Sequence, residues 1–221
     1  MNILALDTSN EYCSMALLVG KKLIEREALA GQNHSEMVLA MTSEILEEAG
    51  ISLKDLDGIA FGSGPGSFTG LRIACGVAQG LALGAGLKLA GIGTLKALAA
   101  GVPAERVIAC LDARMGEIYH AAFERKEGEI YCVSEPELCF PEDAPLLHGE
   151  WTGCGSGFTT YREALISRHE GRILNIVDDR PRAREIAKLA VSEFENGRGV
   201  DPDVAAPLYV RNKVALKESE R

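Results

Sequence analysis

No C-x-x-C pair occurs among the six cysteines, Cys13, Cys75, Cys110, Cys132, Cys139 and Cys154. They are scattered, mostly among apolar or small neighbours, which argues against a zinc site or disulfide frame and predicts reduced core thiols of a cytosolic protein. Positive charge is in deficit too. A formal net charge of -9 argues against the chain as the main clamp on a nucleic acid, because counterion-release binding needs clustered Lys and Arg. Arg180, Arg182, Arg184 and Lys188 do lie close together, but at the start of a predicted helix, where a solvated polar face explains them. The opening MNILALDTSN has no basic n-region or cleavage site, and the apolar tract after Leu71 is interrupted by Arg72, Gln79 and Lys88. Neither secretion nor a membrane span is expected.

Catalytic and metal signatures are also missing. Of the four histidines, His34 opens an amphipathic helix, yet the position one turn later is Val38, so a two-histidine clamp at i and i+4 cannot form. His120 falls in a strand, His148 in a proline-rich segment and His169 near a helix end, where surface or satisfied partly buried roles are expected. No G-x-S-x-G nucleophile elbow appears, and no nucleophile and base pair suggests a peptidase. Accordingly no catalytic residue, metal or cofactor is assigned.

What is present is an ordinary globular composition: 221 residues, 47% hydrophobic and 25% charged, enough for one large domain or two small lobes with a sizeable core. An internal repeat decides for two lobes. NILALDTSNEYCSMALLVGKKLIEREALA reads as three strands with a Gly20-Lys21-Lys22 turn, and RVIACLDARMGEIYHAAFERKEGEIYCVSEPEL repeats the plan with a turn at Gly128. Asp7 and Asp112 occupy the same place in each copy. The predicted lobes span residues 1–102 and 103–221, joined near Gly101 to Glu105, with the tail docking back on the first lobe.

In the first lobe, NHSEMVLAMTSEILEEAG carries Met37, Val38, Met41 and Ile45 on one stripe, with Asn33 and Glu36 as a capping box and Gly50 as the stop. The strand DGIAFGS then leads into FGSGPGSFTGLRIACGVAQGLALG, a glycine loop followed by a helix from about Phe68 to Ala85. Past the second meander, Glu135 to Glu150 reads as irregular, followed by helices near Thr160 to His169 and Pro181 to Asn196, and by an extended tail ending in a frayed helix.

A glycine loop between strand and helix suits a phosphate, since free N–H groups and the helix dipole converge there. Against this, Gly62-Ser63-Gly64-Pro65-Gly66 does not complete G-x-G-x-x-G, the Walker ending is missing and Pro65 removes a donor. The competing explanation is a tight turn with Ser67 or Thr69 capping the helix. Asp7 and Asp112 invite a similar choice between Mg-nucleotide chemistry and capping of their own turns; without a glycine or threonine pair following both, the second is favoured. Gly76, Gly80 and Gly84 recur every four residues, a flat ridge that lets another helix approach closely. Each helical glycine costs about 1 kcal/mol relative to alanine, so the ridge calls for a compensating contact.

The strings ILALDTS, GSGPGSFTGLRIA, LDARMGEIY and PLYVR together resemble the bacterial TsaB (YeaZ) family over nearly the whole chain. The resemblance implies an α/β, two-lobed fold of the actin, sugar-kinase and Hsp70-like (ASKHA) type. It also implies a cytoplasmic role in making N6-threonylcarbamoyladenosine at position 37 of tRNAs reading codons that start with A. There the metal-containing paralogue TsaD transfers the group from threonylcarbamoyl-adenylate, assisted by a TsaB subunit and the ATPase TsaE. TsaD members carry an H-x-x-x-H motif on the helix that His34 begins here; Val38 replaces its second histidine, which implies a non-catalytic partner.

The family also pairs its first two helices with those of TsaD, or of a second copy in a homodimer. Carried over, the partner-interface residues are Met37, Met41, Ile45, Leu71, Gly76, Gly80 and Gly84, with Asp7, Thr8, Ser9 and Asp112 as a vestigial nucleotide site. Contact with tRNA is expected only through the complex, and none with a membrane. The alternative is a self-sufficient ATP-dependent phosphotransferase of the same fold, using Asp7 and Asp112 around Mg-ATP.

Overall fold

Strand β1 (Asn2–Asp7) is covered on both faces, and its alternation sorts two cores. Leu4 and Leu6 point to one side, where they meet α1 (His34–Ala49) and α2 (Phe68–Ala85). Ile3 and Ala5 point to the other, where they meet α6 (Ala183–Glu195). A strand buried on both sides must read as a continuous apolar run, which is why NILAL precedes the first aspartate. The computed structural model describes residues 1–31 and 33–211.

Around β1 the first sheet is ordered β3-β2-β1-β4-β5, with β2 (Tyr12–Val19), β3 (Lys22–Leu29), β4 (Gly58–Gly64) and β5 (Leu89–Gly93). The first three strands form an antiparallel meander, and β4 and β5 add in parallel. The second sheet repeats this order as β8-β7-β6-β9-β10, built from β6 (Arg106–Arg114), β7 (Glu117–Lys126), β8 (Glu129–Cys139), β9 (Trp151–Cys154) and β10 (Ile173–Val177). Its central strand β6 sorts two cores in the same way. Val107, Ala109 and Leu111 face α3 (Thr94–Gly101), while Ile108 and Cys110 face the short helices α4 (Ser156–Thr160) and α5 (Arg162–Arg168). The duplicated meander read from the sequence is therefore an α/β fold of the ASKHA type.

Helices are exchanged between the two halves. α3 follows the first sheet in sequence, but Leu95, Leu98, Ala99 and Val102 pack on the second sheet. α6 follows the second sheet, but Ala183, Ile186, Ala187 and Ala190 pack on the first. A cut at residue 102 thus leaves each half holding a helix that the other half covers.

Three local expectations differ from what the structure shows. β8 continues through Pro136 to Cys139, where an irregular segment was expected; β8 is an edge strand, and its pairing with β7 shifts register near Ser134, a place where a missing N–H is tolerated. Asn33 is the N-cap of α1, but its side chain makes no capping bond, so the Asn33–Glu36 box does not form. Finally, α2 is long and apolar enough to cross a membrane despite Arg72 and Gln79. It instead lays Ala74, Ala78 and Ala82 against the first sheet. The frayed helix expected at the end of the tail lies outside the described residues.

Candidate functional site

The glycine loop lies directly against the turn after β1. Ser67 N–H donates to the carbonyl of Ser9 at 2.8 Å, and the Thr8 hydroxyl donates to the carbonyl of Gly70 at 2.6 Å. Ser67 Oγ in turn accepts the Gly70 N–H at 3.3 Å, the N-cap bond expected for α2. A Cβ on Gly66 would stand 2.7 Å from Ser9 O, and one on Gly70 would collide with Thr8 O. These two glycines are present because two backbones touch. A loop amide that a phosphate would need is already satisfied by the chain's own carbonyl, and Pro65 supplies none.

Asp7 lies beneath this contact and is fully buried. Its Oδ2 accepts from Ser9 Oγ at 2.9 Å, Asn10 Nδ2 at 3.2 Å and Ser9 N–H at 3.3 Å. Oδ1 has no partner among the described residues; it occupies the space that a side chain at Gly62 would fill. Burial drives the carboxyl pKa up to about 7, against the pull of the Ser9 bonds and with a small push from Glu27.

Asp112, its counterpart in the repeat, has a different environment. It lines the cleft between the two sheets, a space of about 730 Å³, together with Ser9, Asn10, His34, Phe68 and Arg211. It accepts from Arg114 N–H at 2.8 Å, from the Arg114 guanidinium at 3.2 Å and from Tyr161 OH at 3.2 Å. Thr8 and Ser9 are buried, the Thr8 hydroxyl bonded to Gly70 of α2 and the Ser9 hydroxyl to Asp7. Of the four residues read as a vestigial nucleotide set, only Ser9 and Asp112 line the cleft.

The helices present a surface that the sequence reading only partly located. Met41, Ile45 and Leu71 are 9%, 0% and 2% exposed and belong to this chain's own core, and Met37 is half-buried against it. Their spacing signals burial, and the sheet beneath them supplies it. The glycines behave differently. A Cβ at Gly76, Gly80 or Gly84 would meet nothing within 4 Å. The outer stripe of α2 therefore runs Phe68, Arg72, Gly76, Gly80, Leu83, with Leu83 76% exposed. On α1 the exposed large apolar residue is Leu39, 53% exposed. Both leucines stand off their helix's buried stripe, which is the signal by which the sequence could have flagged them.

His34 is anchored by its Nε2, 2.9 Å from the carbonyl of Asn10, and Val38 is wholly buried. Among the described residues no three His, Cys, Asp or Glu side chains gather as a metal would require. The basic cluster is internally paired. Arg180 makes two bonds to Glu27 at 2.8 and 2.9 Å and covers the Tyr12 ring at 3.8 Å, Arg182 pairs with Asp179 at 2.8 Å, and Arg184 and Lys188 meet Glu185.

A sheet plan used twice around a cleft, with a glycine-faced helix left open on the first half, defines an α/β chain of the ASKHA class. The family model for TsaD, tRNA N6-adenosine threonylcarbamoyltransferase, matches residues 26–148. Over nearly full length the chain is 38% identical to the tRNA threonylcarbamoyladenosine biosynthesis protein TsaB of Escherichia coli (strain K12), covering 99% of this chain and 98% of the relative. It is 34% identical to TsaB of Bacillus subtilis (strain 168), covering 92% and 93%. The solved structure of YeaZ from Pseudomonas aeruginosa superposes with a TM-score of 0.87 at 34% identity, covering 94% of this chain and 99% of that one. The chain belongs to the TsaB (YeaZ) family of tRNA threonylcarbamoyladenosine biosynthesis proteins.

Proposed function

We propose that this chain is the non-catalytic activating subunit of the assembly that transfers a threonylcarbamoyl group to adenosine in tRNA. The catalytic partner is a TsaD-type transferase, held through the outer face of α2 with Leu39 of α1. TsaE assists as the ATPase, tRNA is reached through the complex, and a second copy of the chain can take the same face. The observation that carries this reading is the open glycine row at 76, 80 and 84. Three glycines at one spacing weaken an isolated helix and become favourable only where another backbone approaches closely.

The non-catalytic part of the reading rests on two further placements. Val38 stands in the core where a second metal-binding histidine would be, and His34 is committed to Asn10. The phosphotransferase alternative is weakened because Asp7 is sealed under the loop and does not line the cleft.

Reconstitution tests this directly. tRNA, threonylcarbamoyl-adenylate, ATP, a TsaD-type transferase and TsaE are combined with this chain present, omitted or alone, and modified adenosine is read by mass spectrometry. Product only when the chain joins the transferase is expected. Product from this chain alone would overturn the non-catalytic reading, and equal yield without it would overturn the activating role.

A further inference from the structure

The PLYVR segment is tied down at both ends, and its Tyr209 rests on Phe68 and Arg72 at the start of the outer stripe of α2. Before it, Gln79 Nε2 on α2 donates to the carbonyls of Pro202 at 2.8 Å and Ala205 at 3.1 Å. Leu208 N–H then donates to Ser63 O at the end of β4, 2.7 Å away. Arg72 Nε donates to Tyr209 OH at 3.1 Å while its guanidinium lies 3.5 Å from the centre of the Phe68 ring. So far every contact is with the first sheet's half.

The last described residue crosses to the other half. Arg211 donates to Ala113 O at 3.0 Å and pairs with Glu117 at 2.7 Å, and both of these side chains are largely shielded, at 14% and 22% exposure. Ala113 and Glu117 bracket the β6–β7 turn, whose residues Arg114, Met115 and Gly116 have φ of 64°, 59° and 82°. Arg and Met are disfavoured in that left-handed region, and such conformers persist when neighbouring contacts over-determine them. Arg211 supplies such a contact, and Leu208, Tyr209, Val210 and Arg211 all line the cleft.

We infer that Pro207–Arg211 is an interlobe latch: Arg211 holds the left-handed β6–β7 turn across the mouth of the cleft, and its release lets the turn relax and the two halves part. The inference stands on contacts within this chain and is independent of the transferase partner.

Amide hydrogen exchange on the full chain, read by mass spectrometry, tests it with Arg211→Ala and, as a variant that keeps side-chain shape, Glu117→Gln. Either variant should speed exchange of the 113–117 turn about ten-fold, the size expected on losing a shielded charge-assisted pair. The latch further requires faster exchange in two segments that make no hydrogen bond to Arg211: residues 9–11, which line the cleft, and α4, whose Ser156 and Thr160 reach it. Acceleration confined to the turn would reduce Arg211 to a local clip and overturn the latch, as would no change at all. The Glu117→Gln arm keeps the test decisive if Arg211→Ala disturbs folding.

Discussion

The hydroxyl of Thr8 donates to the carbonyl oxygen of Gly70 at 2.6 Å while the carbonyl of Thr8 stands where a Cβ on Gly70 would project. One residue thus fixes the first turn of α2 to the end of β1 and forbids a side chain at the point of contact. The glycine loop serves to place a helix, and that helix carries the open face.

Gly70→Ala is accordingly expected to destabilise the fold. The added methyl meets a backbone atom that cannot rotate away, so overpacking of about 1–3 kcal/mol follows. Urea unfolding should show a lower midpoint with an unchanged slope. A stability equal to wild type would mean that loop and turn do not touch as described.

Gly80→Leu should behave in the opposite way. Its Cβ enters open space, and leucine in a helix interior is favoured over glycine by ~1 kcal/mol. Melting should hold or rise, while affinity for a TsaD-type transferase falls at least about ten-fold because two backbones can no longer approach. A folded variant that binds the transferase normally would remove the glycine row from the interface.

Asp7 sets a pH dependence. Its folded pKa of about 7 lies above the ordinary 3.8, so ionisation costs stability as pH climbs between those values, and the full cost is present above about 7. That cost is on the order of 4 kcal/mol at most. Asp7→Asn removes the ionisation and should raise the melting temperature more at pH 8 than at pH 4. An equal change at both pH values would show that the carboxyl titrates normally.

Much of this architecture was legible in the sequence because strand alternation and turn residues are local signals. The two meanders, the bounds of α2 and the Ser67 cap follow from residues within one turn of each other. What lies across the fold was harder to read. The stripe Met41 and Ile45 says that a helix face is buried, but whether a sheet or a partner buries it depends on β1 and β2, which lie elsewhere in the chain. The exchange of α3 and α6 escaped for the same reason, since helix pattern carries no address. Asp7 and Asp112 occupy equal places in the repeat, yet Asp7 is sealed beneath the glycine loop while Asp112 faces the cleft, a difference set by what packs on each strand end rather than by the strands themselves.

His120 and His169, expected near the surface or in satisfied partly buried positions, are both fully buried, with stacked rings whose centres are 6.3 Å apart. No ring nitrogen of either has a hydrogen-bond partner among the described residues. Burial pushes the His120 pKa down to about 3, with His169 adding to the effect; His169 is lowered by burial and then by Arg168 and Arg172. A base whose folded pKa lies below its unfolded 6.5 favours the fold above 6.5 and withdraws that support as pH falls toward 3, because the unfolded chain takes up the proton first. Stability should therefore drop on acidification by up to about 1.4 kcal/mol per pH unit for His120 alone. Asp7 titrates with the opposite sign over part of this range, so the two are separated by variants. His120→Met, which keeps an apolar side chain of similar reach in the same core, should flatten the acid limb relative to wild type while leaving the change between pH 7 and pH 8 untouched. An acid limb as steep as that of the parent would mean that the pair is already charged or solvated in the fold.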